Sequence, residues 1–337
     1  MYVWQPAINS SCVPIPVILP YLTIYLLGSP AMAIYNYGNA VLSAVGDTRR
    51  PLKYLTISGI LNVILNLLFV ICFHLDVMGV ALASIITQYL SAFLIMRFLL
   101  TCKTEYGLSL RDFTFDGKLA TKVLAIGIPS GLQNILFSIS NLFIQSAINS
   151  FDHVVVEGNT AGGNADGIVY DIMAAFYTAC TSFIAQNYGA GKRDRILKIY
   201  FWTLFYASVI ALLLGGLLVI FKTPFLSLFT DDSEVIKYGK IRLGIMGCTY
   251  FISAFMDNAV SGARGLGKSI VPTTIIISGT VVFRTIWLLT VFNHFHTLPS
   301  LYLVYCVSWI FTAIIGNLYF AHVYRGLPKE QFVLAEN

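Results

Sequence analysis

Runs of about twenty apolar residues, the length a helix needs to cross a bilayer, constrain this chain more than any other feature. Nine such stretches follow one another, roughly over 17–45, 54–73, 77–100, 120–149, 157–187, 196–221, 235–265, 270–292 and 298–322. Several exceed 25 residues, so tilted helices or helix ends outside the lipid are expected. Hydrocarbon offers no hydrogen bonds to a backbone, so spans of this length read as helices. The fold class is therefore all-α: a polytopic membrane protein with about nine transmembrane helices. Of 337 residues, 57% are hydrophobic and 11% charged, against about 25% charged in soluble domains. Lipid must solvate much of such a surface.

The basic residues set an orientation. Sixteen of the 21 lysines and arginines fall in alternate breaks between spans, around Arg49, Lys103, Lys192, Lys268 and Arg325. Four, Lys222, Lys237, Lys240 and Arg242, fall in the other breaks, and Arg284 lies inside a span. The expectation is a multi-pass plasma-membrane protein with a cytoplasmic C-terminus and an outside N-terminus. The net charge of +5 is spread over short loops, which fits anionic lipid headgroups and not nucleic acid. The six cysteines are scattered, with no C-x-x-C spacing and no histidine cluster, so no metal site or disulfide framework is expected. The first 14 residues lack the pattern of a secretory signal.

Residues 101–122 form the longest polar connection and read as a cytoplasmic linker between a three-span part, 1–100, and a six-span part, 123–337. The two parts share a motif. Gly46 is followed by Pro51, and Gly267 by Pro272, at an offset of 221 residues. Six spans lie between the matching elements, an even number, so the pattern is that of a parallel repeat. The competing reading is that any short cytoplasmic turn uses Gly, Pro and basic residues.

Asn39-Ala40-Val41-Leu42-Ser43-Ala44-Val45-Gly46-Asp47-Thr48-Arg49-Arg50-Pro51-Leu52 resembles the segment after the fourth span of the MATE (multidrug and toxic compound extrusion) transporters. Gly127-Ile128-Pro129-Ser130-Gly131-Leu132-Gln133 is similar to the start of that family's seventh span, and 145–151 to its end. Ala185-Gln186-Asn187-Tyr188-Gly189-Ala190-Gly191-Lys192 resembles the loop after the eighth, and Arg264-Gly265-Leu266-Gly267-Lys268-Ser269 the loop after the tenth. The matches fall in family order from about Tyr21 onward. The resemblance implies twelve helices in two six-helix lobes around a central cavity. It also implies export of small organic, often cationic, compounds by a monomer, driven by sodium or proton influx. This chain would hold the fourth to twelfth helices, a MATE-like bundle with an incomplete N-terminal lobe. The alternatives are an inactive or partial transporter fragment, or a lipid-linked sugar flippase of the same superfamily. No enzyme is expected, because no nucleophile–base pair, metal cluster or phosphate loop appears. The expected cofactors are none beyond Na+ or H+ as the coupling ion.

Ionisable residues inside spans cost several kcal/mol and mark function by default. They are Asp166, Asp171, Asp257 and Arg284. Asp166 and Asp171 lie about 140° apart on a helix, so they share a face only if Gly167 bends it. Asp166, Asp171 and Asp257 are candidates for coupling a cation; the family resemblance places acidic residues near Asp166 and Asp257, the latter implied in cation coupling or substrate binding. Each also has a plain alternative: a packing hydrogen bond for Asp166, an ion pair with Arg284 for Asp257. Arg284 reads as a structural counter-ion.

In the first part, Asn62 and Asn66 stand on one helix face. One family branch has Asn and Asp at this spacing, with a hydroxyl on the next span, and Ser84 matches that hydroxyl. With Asn66 in place of the carboxylate, only neutral oxygens remain, and interhelical hydrogen bonding competes with cation binding. The stripe Gln133, Asn134, Ser138, Asn141 and Gln145 follows helical spacing. Gln133, Asn134 and Asn141 are candidate cavity residues, together with Tyr37, an aromatic residue suited to flat cations.

Overall fold

The computed structural model describes residues 15–328 apart from 105, 110–113 and 115, with side chains from Tyr21 onward. All regular structure among the described residues is helical. The chain divides into two compact units, one ending at 115 and the other beginning at Asp116.

The first unit contains α1 (Ile15–Leu27), α2 (Ser29–Ala44), α3 (Arg49–Cys72) and α4 (Asp76–Thr101). Helix α4 is the hub, against which the other three pack. Its Ile95 and Leu99 bury Leu42 of α2. Helices α1 and α2 fill the first predicted span but are separate pieces of 13 and 16 residues. They meet at Gly28, whose backbone lies so close to Gln88 that a Cβ would sit 2.2 Å from its Oε1.

The second unit contains α5 (Gly117–Ile148), α6 (His153–Gly189), α7 (Arg193–Ile220), the single-turn α8 (Lys222–Leu226), α9 (Ser233–Gly247), α10 (Tyr250–Gly265), α11 (Ile270–Phe295) and α12 (Leu298–Arg325). Aspartates cap three of these helices. Asp116 accepts from the amides of Lys118 and Leu119, Asp152 from His153, and Asp232 from Glu234. Each satisfies orphan donors and complements the helix dipole. Helix α5 starts at Gly117, so the predicted linker 101–122 is shorter than expected. Helix α10 lies innermost, packed on α6, α7 and α12. Its apolar face joins a core of Met173, Tyr177, Ala207, Ala211, Met246, Ala254 and Trp309.

Seven helices are long and apolar enough to cross a membrane among the described residues. Helices α9 and α10 make an eighth span, bent by 48° at Cys248–Thr249. No proline causes the bend. The Thr249 hydroxyl bonds back to the carbonyls of Ile245 and Met246, groups the helix would otherwise use, and a back-bonding Thr after a glycine is a known way to break an axis. The ninth predicted stretch is the α1–α2 pair.

The internal repeat extends beyond its motif. Gly46 and Gly267 both adopt positive φ. Each closes its helix with the same pair of bonds: Asp47 N–H to Leu42 O with Gly46 N–H to Ser43 O, and Lys268 N–H to Ala263 O with Gly267 N–H to Arg264 O. This is a Schellman cap, and Gly191 makes it too, so the cap alone argues no repeat. However, α3 ends in a π-helical turn, Leu68–Cys72, and α11 has one at Leu288–Phe292, one short turn before its end. His74 and His296 then take positive φ just before the next helix. Three irregularities in the same order, near one offset, mark α2–α4 and α10–α12 as copies of one unit.

Candidate functional site

The intramembrane charges of the second unit form two groups. The first is built on α6. Glycines at 158 and 162, one helical turn apart, let α6 and α9 approach closely. A Cβ on Gly158 would stand 2.6 Å from Val235 O, and one on Gly162 would stand 3.1 Å from Arg242 Cδ. Small residues at this spacing are a recurring membrane packing device. Into the contact α9 lays Arg242, which is buried. Its guanidinium donates through Nη1 to Asn159 Oδ1 and through Nη2 to Asp166 Oδ2, and it stacks over Tyr302 at 5.5 Å. The other oxygen of Asp166 accepts from the Tyr250 hydroxyl of α10. Asn159 Oδ1 also accepts from the Tyr302 hydroxyl of α12, at 3.2 Å. Asp166 is thus fully engaged, as a partner in an ion pair.

Arg242 corrects the sequence reading, which counted it among outer-loop residues. It stands in a helix among Ile241, Leu243 and Ile245. The clue available was this apolar setting, masked by Lys237 and Lys240, five and two residues earlier.

The second group surrounds Asp257 on α10. The next residue, Asn258, is fully buried and ties α10 to α7: it accepts from Thr203 Oγ1 at 2.9 Å and donates to Tyr200 O at 3.1 Å. Asp257 itself is partly exposed. Among the described residues it makes no ion pair within 4.0 Å and no hydrogen bond. It lies in the fields of two guanidiniums, Arg264 and Arg284. Arg264, two turns on, donates to Gln133 Oε1 at 2.6 Å.

Arg284 makes no direct ion pair with Asp257. It is 1% exposed, donates through Nε to Ser308 Oγ at 3.1 Å, and lies against the rings of Tyr305 (4.6 Å) and Phe137 (5.4 Å). Its two terminal nitrogens have no hydrogen-bond partner. Asp171 is exposed on α6. Along α5, Gln133 is held by Arg264, while Asn134, Ser138 and Asn141 are exposed and Gln145 bonds to Asn149.

In the first unit, Asn66 Nδ2 donates to Asn62 Oδ1 at 3.0 Å, and Asn62 Nδ2 donates to Thr87 Oγ1 at 3.2 Å. The hydroxyl beside the amides is therefore Thr87 and not Ser84, whose Oγ returns to Val80 O in its own turn. Thr87 lies three residues beyond Ser84, one turn on the same face. Asn66 Oδ1 is buried without a partner. Tyr37 is exposed on α2. Among the described residues, no three His, Cys, Asp or Glu side chains converge as metal ligands do.

The MatE family model matches residues 129–289. The FAD transporter of Shewanella oneidensis is 28% identical over 242 residues, which is 70% of this chain and 53% of that protein. The probable multidrug resistance protein NorM of Thermotoga maritima is 24% identical over 276 residues, 79% of this chain and 57% of that one. The chain thus spans a little over half the length of these curated relatives. A solved structure of a MOP superfamily transporter from Pyrococcus furiosus, described as having a binding pocket of reverse polarity, superposes with a TM-score of 0.86 at 21% identity, covering 92% of this chain and 70% of that one.

Proposed function

We propose that this chain is a member of the MATE family, whose model matches residues 129–289, and that it serves as a cation-coupled antiporter of the plasma membrane, exporting small organic compounds by alternating access. The observation that carries this reading is the contrast between two carboxylates in one lobe. Asp166 has both oxygens committed to Arg242 and Tyr250. Asp257 has neither committed and keeps access to its surroundings. A carboxylate inside a membrane without a bonded partner is costly, and a sodium ion or proton removes that cost. Coupling therefore belongs to Asp257: binding a cation there neutralises the carboxylate and changes which face of the lobe is favoured. The exposed amides Asn134 and Asn141 provide neutral polar contacts for a substrate.

The test is efflux of a fluorescent organic cation from proteoliposomes under an imposed sodium or pH gradient. Asp257→Asn is expected to reduce gradient-driven efflux to background while the protein inserts and folds normally. Gradient-driven efflux at the wild-type rate in that variant overturns the assignment.

A second reading concerns the sign of the substrate. The sequence singles out three aspartates and one arginine inside spans, an acidic balance. Arg242, Arg264 and Arg284 now balance Asp166, Asp171 and Asp257 one for one. An anionic substrate, of the kind the Shewanella relative is named for or a lipid-linked sugar, is then supported by Arg264 and by the unmet donors of Arg284. Competition decides: inhibition of cation efflux by FAD, absent in an Arg264→Gln variant, favours it, and no inhibition removes it.

A further inference from the structure

The α9–α10 span is broken and bent, and Asp166 is bonded on both sides of the break. Arg242 lies five residues before the end of α9, and Tyr250 is the first residue of α10. One carboxylate on α6 takes a guanidinium from the first half with Oδ2 and a phenol from the second with Oδ1. Arg242 and Tyr250 are both at least nine-tenths buried. The hinge itself supplies little rigidity, since Gly247 and the back-bonded Thr249 leave the helix ladder interrupted there. On the other side of the bend, α7 touches it backbone to backbone, with a Cβ on Gly215 only 2.1 Å from Gly247 O. The bend is therefore a built feature with a pivot at Gly215–Gly247 and a strap at Asp166.

We propose that Asp166 is a clasp that holds the angle of the α9–α10 span, and so acts as a positioning residue for Asp257. Tyr250 and Asp257 are seven residues apart, two turns along one face of α10. Fixing the Tyr250 end fixes the rotation of α10 and the direction Asp257 takes. Removing the Asp166 charge leaves the buried Arg242 with neutral acceptors only, and an uncompensated buried charge is costly. The half-helices are then free to realign. The strap is a matter of geometry alone; its consequence for coupling rests on the reading of Asp257 above.

The experiment measures the angle directly. Spin labels at Lys237 and Lys268, exposed at the two ends of the bent span, report the distance across the break in lipid nanodiscs, with native cysteines replaced. Asp166→Asn is expected to shift or broaden the wild-type distance distribution, Asp166→Glu to restore it, and Asp257→Asn to leave it unchanged. Tyr250→Phe removes one hydroxyl and keeps the ion pair, so it reports a smaller shift even if Asp166→Asn fails to fold. In the Asp166 and Tyr250 variants, the cation concentration giving half-maximal efflux should rise with the shift in distance while the maximal rate is retained. An unchanged distribution in both Asp166→Asn and Tyr250→Phe overturns the clasp, as does an equal change in Asp257→Asn. A shifted distance together with full coupling in Asp257→Asn supports the clasp and removes only the coupling assignment.

Discussion

Buried arginines in this chain differ by their partners. Arg242 is matched by a carboxylate, an amide and an aromatic ring, whereas Arg284 has one hydroxyl and two rings. Removing one member of a buried pair costs roughly 3–5 kcal/mol, because the other is left uncompensated. Replacing an unpaired buried charge by an apolar group of similar length carries no such cost, and the lost cation–π contact is worth about 1 kcal/mol. Arg242→Met should therefore lower the thermal midpoint in detergent, and Arg284→Met should leave it unchanged or raise it. Equal losses in the two variants would mean that Asp166 contributes nothing through Arg242. At this scale sequence reading singled out Asp166 and Asp257, because a carboxylate inside an apolar run stands out. It missed Arg242, since a guanidinium beside two lysines looks like the end of a loop. It chose Ser84 over Thr87 because spacing along one helix does not say which hydroxyl faces its neighbour.

Close helix contacts are made at glycines. Gly215 and Gly216 are adjacent on α7 and chemically identical, yet only one is in contact. A Cβ on Gly215 would lie 2.1 Å from Gly247 O, while one on Gly216 would meet nothing within 4 Å. Gly215→Ala must push α7 off the bend and is expected to destabilise by about 1–3 kcal/mol. Gly216→Ala is expected to be neutral or to stabilise by up to about 1 kcal/mol through helix propensity. Thermal unfolding of the two variants side by side checks this. Hydropathy located the helical stretches because it measures transfer of side chains into lipid, which depends on composition. It did not reveal the break at Gly28 or the bend at Thr249, because an axis changes direction through local backbone bonding and neighbour contacts that no average of apolarity records.

For the molecule as a whole, the loop charges predict a topology. Cysteines introduced at Lys192 or Lys268 are expected to react with an impermeant thiol reagent only from the cytoplasmic side, and one at Lys222 only from outside. Reaction of Lys192 and Lys222 variants from the same side would overturn the orientation. This inference survives the loss of Arg242 from the outer set and of Arg264 from the inner one, because three outer basic residues against fifteen inner ones keep the asymmetry. The class of the protein is legible in the order of its residues. An all-helical, multi-span membrane chain similar to the MATE transporters follows from apolar runs, loop charges and short motifs, all properties of residues near one another in the chain. The state of each charge is set by packing. Asp166 and Arg242 are 76 residues apart, and Asn159 and Tyr302 are 143 apart. Whether a carboxylate in hydrocarbon is satisfied or waiting for a cation depends on which distant donor the packing brings to it. Packing brought two donors to Asp166 and none to Asp257.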